Sequence, residues 1–279
     1  MACGWKYYNH AYIPDGAPHE QPDMIPLNNG SLWKSTNNKA LLARWTTNFD
    51  CGYETEWWYC IKDKPFDVGE LTSKRRYEIT KAERNFETKT INPSDYADDL
   101  FKVQKAAFSA YPAAYRPEVT REKFDKEIGL WSDYTVFAAF DKQDGAIAGY
   151  SLVRKEEKYI GFDVQKTNPE YEKKAVNAAL VKRILDYYAD ELKSGSYICD
   201  GARNIMHETN FQGYLEKYFM FRRAYCTLNI KYKGGVKLLV KLLYPFRKII
   251  AKMNNGLCKR ISGVLRMEHV IRKQNKVEK

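Results

Sequence analysis

The sequence predicts an α/β protein, and three stretches carry the prediction. YTVFAAF (134–140) and AIAGYSLVR (146–154) flank DKQDG, with Asp144-Gly145 marking a hairpin turn. KYIGFDVQ (158–165) reads as a third strand and leads into a long helix over 170–192. In that helix Ala175, Val176, Ala179, Leu180, Ile184, Leu185 and Tyr188 fall near one face. SYICD (196–200) then reads as a buried strand.

The remaining elements follow in order. Residues 1–38 are rich in Pro, Asn and Gly (IPDGAPHEQPDMIPLNNG) and read as an irregular arm with little secondary structure. LLARWTTNF (41–49) and TEWWYCI (55–61), separated by DCGYE, read as a strand pair. Trp45, Trp57, Trp58 and Tyr59 suit core and strand packing more than a sugar-stacking platform. LTSKRRYEITKAERNF (71–86) is a helix, and further helices are expected near 95–110, 118–129 and 210–218. FRRAYCTLNIKY (221–232) closes as a strand. The expected organisation is an arm and strand pair over 1–70, a core domain over 71–232 and a basic tail over 233–279.

The chain has 279 residues, 44% of them hydrophobic, enough for a sizeable core. No run reaches about 18 uncharged apolar residues, so no transmembrane helix is expected. MACGWKYYNH has no apolar core or cleavage site of a secretory signal. The six cysteines are scattered without a CxxC pair, and there are only four histidines. Reduced thiols in a cytoplasmic protein and no metal site are therefore expected.

The net charge of +11 resides in the tail. Residues 231–279 hold 14 Lys and Arg against 2 acidic residues, whereas residues 1–230 hold 32 against 33. In 237–253, at about 100° per residue, Lys237, Lys241, Lys248 and Lys252 share one sector. Leu238, Leu239, Leu242, Leu243, Phe246, Ile249, Ile250 and Met253 occupy the other. This is a basic amphipathic helix, kinked or restarted at Pro245. A second such segment covers about 257–273, with Leu257, Ile261, Val264, Leu265 and Ile271. Residues 233–273 are expected to dock on an anionic membrane, at its inner face, or on the protein's own apolar surface. The tail lacks interleaved stacking aromatics, so sequence-specific nucleic-acid binding is not expected.

The order helix, hairpin, strand, helix, strand, helix, strand over about 71–232 resembles the GNAT acyltransferase fold. PEYEKKAVNAAL (169–180) resembles the GNAT segment in which Pro-Glu-Tyr leads into Arg/Gln-x-x-Gly-x-Gly/Ala and a helix. Asn210-Phe211-Gln212-Gly213 through Phe219-Met220-Phe221-Arg222 is similar to the later stretch in which an Asn opens a helix ending in Gly-Phe. Arg76-Tyr77-Glu78-Ile79-Thr80-Lys81-Ala82-Glu83-Arg84 and DGARNIMHETN resemble the Fem-type peptidyltransferases and related polysaccharide-biosynthesis proteins within that superfamily. The resemblance implies a mixed, mostly antiparallel central sheet with flanking helices. It implies transfer of an acetyl or aminoacyl group to an amine of a cell-surface polysaccharide or peptidoglycan-type precursor, with the donor held between two splayed strands.

The donor that the resemblance implies is acyl-coenzyme A, its pyrophosphate on the free N–H groups that open a helix. Lys173, Lys174 and Asn177 are the residues that would meet it. Here Glu172 stands at the Arg/Gln position and Ala175 and Asn177 stand at the glycine positions, which weakens that reading. Aminoacyl-tRNA is the alternative donor. The bland reading of the same turn is an ordinary helix start, with Asn168 as N-cap, Pro169 at N1 and early Glu170 and Glu172.

DGARNIMHETN (200–210) is the densest polar cluster and follows a buried strand, where α/β sites gather. Asp200, His207 and Glu208 are the candidate proton-transfer residues. Arg203, Asn204 and Asn210 are candidates for an acceptor's carboxylate or phosphate. The alternative is a turn at Asp200-Gly201 followed by a helix cap at Thr209 or Asn210. Arg76 and Lys81, with Arg75 and Arg84, form a basic helix face suited to an anionic acceptor or to pairing with Glu78, Glu83 and Glu87. The tyrosine that many GNATs carry before Gly-Phe falls on Glu216, and the glycine itself is Met220. A degenerate, non-catalytic scaffold is the competing reading.

Overall fold

The computed structural model describes residues 2–34, 39–111, 116–205, 210–253 and 255–277. The chain forms two compact units. One comprises Met1–Tyr59, Ala202–Thr209 and Arg223–Lys279, and the other Cys60–Gly201 and Asn210–Arg222.

The first unit opens with a hairpin, β1 (Trp5–Tyr8) and β2 (Ala11–Pro14). Asn9 and His10 both take left-handed φ, 46° and 64°, at its two-residue turn. The arm is therefore more regular than its composition predicts. A short helix α1 (Ile25–Asn28) follows, then β3 (Leu42–Thr47). β4 (Trp57–Lys62) crosses from this unit into the other. The expected pairing of β3 with β4 is not what the chain does. β3 pairs antiparallel with the closing strand β10 (Arg222–Tyr232), Thr47 opposite Thr227, and parallel with β2. Short sequence separation favours a hairpin, but a long-range partner takes the edge of β3 instead.

The second unit carries the elements the resemblance implies. α2 (Ser73–Asn85) runs into β5 (Phe86–Ile91), a strand not foreseen in the sequence. α3 (Ala97–Ser109) and α4 (Arg121–Ile128) precede the antiparallel run β6 (Thr135–Asp141), β7 (Ile147–Glu156) and β8 (Tyr159–Thr167). α5 (Val176–Tyr187), α6 (Ala189–Lys193), β9 (Tyr197–Ala202) and α7 (Phe211–Phe219) complete it. The strand order is β5-β6-β7-β8-β9, antiparallel until the last pair, which is parallel. This is a GNAT-like α/β fold with a mixed, mostly antiparallel sheet and flanking helices.

Helices cover both faces of this sheet. Leu100 and Val103 of α3 and Phe124 of α4 bury against Tyr150 and Leu152 of β7, with Trp131 between them. On the other face α5 lies directly on β7. A side chain at Gly149 would meet Leu180 Cδ1 at 3.1 Å and the Lys166 carbonyl at 3.0 Å, so only glycine permits that approach.

The tail belongs to the first unit. α8 (Val236–Leu243) and α9 (Arg247–Ile250) are separated by a 3-10 turn at Tyr244–Phe246, where Pro245 interrupts the helix. α10 (Gly256–Val277) follows. Val270 packs with Trp57, Cys226 and Leu228, and Met267 and Ile271 flank them. α10 thus serves the protein's own core. No described helix is long and apolar enough to cross a membrane.

Candidate active site

The second unit contains a fork. β8 and β9 pair only from Tyr159↔Tyr197 to Gly161↔Cys199. β8 then runs on to Thr167 hydrogen-bonded to β7. Its register against β7 shifts between Leu152 and Val153, which leaves Asp163 as the extra residue of a bulge. A bulge adds local twist, and here it falls where the two parallel strands part.

Asp200 is the first residue of β9 beyond the last paired position. Burial pushes its carboxyl up to about 7, against a hydrogen bond from the side chain of Gln212 on α7. Gln212 is itself buried. Gly201 follows with φ 95°, and its N–H points to Cys199 Sγ at 3.2 Å. Phe211 of α7 meets Phe162 of β8 edge-to-face, ring centroids 5.8 Å apart. α7 is thereby fixed beside the fork by one aromatic contact and one polar one. A carboxyl that titrates near neutrality at the end of a parallel strand can exchange a proton with a reacting group.

A half-buried polar chain runs from β7 through β8 to α5. Ser151 Oγ donates to Gln165 Oε1 at 3.0 Å, and Gln165 Nε2 donates to Asn177 Oδ1 at 2.6 Å. It ties β7, β8 and the first turn of α5 together.

The turn before α5 separates backbone from side chains. The expected helix over 170–192 begins as a 3-10 helix, Pro169–Lys174, capped by Asn168, whose side chain accepts from the Glu170 N–H. It breaks again at Tyr188, between α5 and α6. Ala175, at the family's glycine position, takes φ 72° and ψ 38°. The left-handed turn that glycine would favour is kept without the glycine. The first-turn N–H groups of Val176, Asn177 and Ala178 lack intrahelical acceptors, as at any helix start.

The cations of the turn face elsewhere. Lys174 Nζ pairs at 2.6 Å with Asp141, which is 2% exposed, and Asn85 Nδ2 donates to the Lys174 carbonyl at 3.1 Å. Lys173 is exposed, as is Glu172. The backbone conformation suits a pyrophosphate, but the charges do not fit one. The lysine nearest the helix start neutralises a buried carboxylate, and Asn177 braces β8.

The other candidates fall as follows. Arg203 lies in the first unit, where its guanidinium binds the Glu56 carbonyl and its N–H donates to the Trp58 carbonyl at 2.9 Å. Asn204 is in the same unit and is hydrogen-bonded or otherwise engaged there. Arg76 donates to the Gly69 and Leu71 carbonyls, closing the loop before α2, and Lys81 is half-buried on α2. Asn210 holds the N-cap position of α7 without a side-chain cap bond. His207 and Glu208 lie outside the described residues, as does Thr209. Met220, at the glycine of the Gly-Phe pattern, caps α7 with φ 56°.

Three residues at this site escaped sequence reasoning. Gln212 and Gln165 are amides whose partners are remote in sequence. The Tyr214 hydroxyl is buried with no hydrogen-bond partner, and burial pushes its pKa up. Glu78 on α2 adds to that rise.

Among the described residues no cluster could hold a metal ion. No family model matches the chain, and no curated protein matches it. Solved structures do share its fold. L-PGS from Bacillus licheniformis superposes with a TM-score of 0.50 at 13% identity, over 88% of this chain and 84% of that one. The C-terminal domain of a protein described as a lysylphosphatidylglycerol synthetase, from Agrobacterium fabrum, gives 0.53 at 10% identity, over 85% and 82%. FemX gives 0.50 at 8% identity, over 86% and 85%. At these identities the likeness is one of fold.

Proposed function

We propose that this chain is an N-acyltransferase that moves an aminoacyl group from aminoacyl-tRNA to an amine of a cell-envelope precursor, of polysaccharide or peptidoglycan type. The observation that carries the proposal is Asp200, a carboxyl poised near pH 7 at the fork and oriented by Gln212. The likeness in fold to FemX, to L-PGS and to the domain described as a lysylphosphatidylglycerol synthetase supports an aminoacyl rather than an acetyl group.

In the proposed reaction the acceptor amine attacks the ester carbonyl of the donor. The Asp200 carboxylate takes the proton the nitrogen loses. The tetrahedral oxyanion collapses, breaking the ester C–O bond, and the departing tRNA oxygen takes back from Asp200 the proton the amine gave up. Backbone N–H groups at the fork steady the oxyanion. The donor preference draws on Lys174, whose ammonium is paired with the buried Asp141.

The test mixes the purified protein with labelled aminoacyl-tRNA or labelled acetyl-coenzyme A and an amine acceptor. Transfer from the tRNA alone supports the reading. Isothermal titration with acetyl-coenzyme A reports on the alternative donor, and heat at micromolar ligand with acetyl transfer would replace it. The second reading, a scaffold that has lost catalysis, draws on Glu216 in place of the family tyrosine. Absence of transfer from both donors, with a folded protein, would favour it.

A further inference from the structure

The tail divides into two functions. α10 buries Leu265 and Val270, although Leu257 in its first turn is exposed. α8 and α9 do the opposite. Leu238, Leu239, Leu242, Phe246, Ile249 and Met253 are all between 47% and 64% exposed. Projected from the sequence as a single helix of 3.6 residues per turn, these six fall in one arc of about 100°; in the structure the 3-10 turn at Tyr244–Phe246 divides them and Met253 lies just beyond α9. The helix is amphipathic, yet its apolar side faces solvent while only Val240 buries against the protein.

Beside this face lies a cavity of about 250 Å³ lined by Arg247, Lys248, Ala251, Ser262, Leu265, Arg266 and His269. Leu265 and Ser262 are its buried residues. The Arg247 guanidinium is held 4.4 Å over the Tyr244 ring and donates to the Tyr244 carbonyl. His269 Nδ1 shares a hydrogen bond with the Tyr244 hydroxyl at 2.7 Å. Arg266 is fixed by the Ile205 carbonyl at 2.7 Å. Two guanidiniums, an imidazole and an exposed lysine thus surround a pocket without an acidic side chain in its lining. Glu268 in the tail is engaged by Tyr232 and Arg272, and Glu56, which lies outside the tail and interacts with His269, pairs with Lys273.

We infer that α8 and α9 dock on a lipid bilayer, with the apolar row in the interface and the Arg247–Lys248–Arg266 pocket receiving the phosphate of an anionic lipid headgroup. Charge complementarity selects this occupant. A protein partner for the apolar row would leave Lys237, Lys241, Lys248 and Lys252 without counter-charge, whereas an anionic leaflet supplies it along the whole helix. Phe246 and Ile249 bracket Arg247 and Lys248 within one helical turn, so insertion of the first pair brings the second to headgroup depth. The inference deepens the cell-envelope reading by adding a surface at which the acceptor would be met. It rests on different residues.

Flotation of the full-length protein with vesicles tests it, using phosphatidylcholine alone or an equal mixture with phosphatidylserine. The protein should float with the mixture and stay behind with phosphatidylcholine. R247Q/K248Q should weaken partitioning by clearly more than the about thirtyfold that losing any two surface cations costs, at about fivefold each. K237Q/K241Q removes the same charge outside the pocket and should cost clearly less. L242Q/I249Q should abolish flotation while circular dichroism stays unchanged. Equal recovery on both vesicles, or no flotation, overturns the docking. Equal losses in the two charge-matched variants overturn the headgroup site. Flotation reads no transfer, so its failure and a failure of the transferase assay are separate results.

Discussion

The side-chain amide of Gln212 on α7 donates to the Asp200 carboxylate, just beyond the last residue of β9 paired with β8, and the two residues form a polar contact at the fork. The bond favours the ionised acid, while burial favours the neutral one and wins. Asp200 is therefore half-ionised near pH 7, the range in which a general base is most useful.

If Asp200 is the base, transfer should rise with pH through about 7 and then level off. Asp200→Asn should lower kcat by about a hundred- to ten-thousand-fold. Gln212→Leu removes the bond to the ionised form, so the rising limb should move up by about one pH unit. A pH–rate series on the three proteins checks both. An unchanged limb in the Leu variant would remove Gln212 from the mechanism.

The same shift carries a stability consequence of opposite sign. The folded pKa lies above the usual aspartate value. The native state therefore holds a proton that the unfolded state has released between about pH 4 and 7. Native stability contributed by this group is full below pH 4, is lost as pH rises to about 7, and stays lost above it. Asp200→Asn cannot ionise, so it should match the parent at pH 4 and exceed it at pH 8 by up to about 4 kcal/mol. Urea unfolding at the two pH values measures this. An enzyme that gains stability while losing activity is the signature of a strained functional carboxyl.

Much of the fold was legible because local signals agreed. Asp144-Gly145 marks its turn with φ 74° at Gly145, and β6 through β9 begin within a residue or two of their predicted starts. β5 was missed because Phe86–Ile91 continues a helical sequence without a breaker and is drawn into the sheet by β6. The β1–β2 hairpin was missed because its turn is Asn9-His10, with no glycine, although alternating aromatic residues around an Asn were a usable signal. The pairing of β3 with β10 links residues some 180 apart, which no local pattern encodes.

The site was legible in part. Asp200 stood out because a carboxyl closes an apolar strand, but its environment depends on an amide twelve residues on. Lys174 shows the converse. Its position in the family pattern pointed to a phosphate, and only the fold reveals Asp141 beneath it.

Two of the three missing glycines lead to another expectation. Ala175 and Met220 hold φ of 72° and 56°, a conformation that costs a side chain about 1–2 kcal/mol. Ala175→Gly relieves that strain but loosens the unfolded chain by about 0.4–1 kcal/mol. The net should be a gain of about 0.5–1 kcal/mol, read by urea unfolding. If the turn does bind phosphate, the variant should also bind coenzyme A more tightly in titration. A stability gain without binding leaves the turn purely structural.

Lys174 gives the sharpest separation of the two donors. Its ammonium sits 2.6 Å from Asp141, and the hydrogen bond raises its own pKa. Burial acts to raise Asp141, but Lys174 and the Gln143 N–H outweigh it and hold the carboxyl below its usual range. Stability from a depressed acid is present above the unfolded pKa and lost as pH falls through the folded one. Lys174→Met leaves Asp141 buried without its cation, so the melting temperature should drop at pH 7 and the deficit should shrink toward pH 3. Asp141→Asn in the same chain should recover most of the loss, because a neutral amide needs no counter-charge. Transfer from aminoacyl-tRNA by the folded double variant should equal the parent's. A selective rise in the KM for an acyl-coenzyme A donor would instead return Lys174 to the phosphate and reverse the donor assignment.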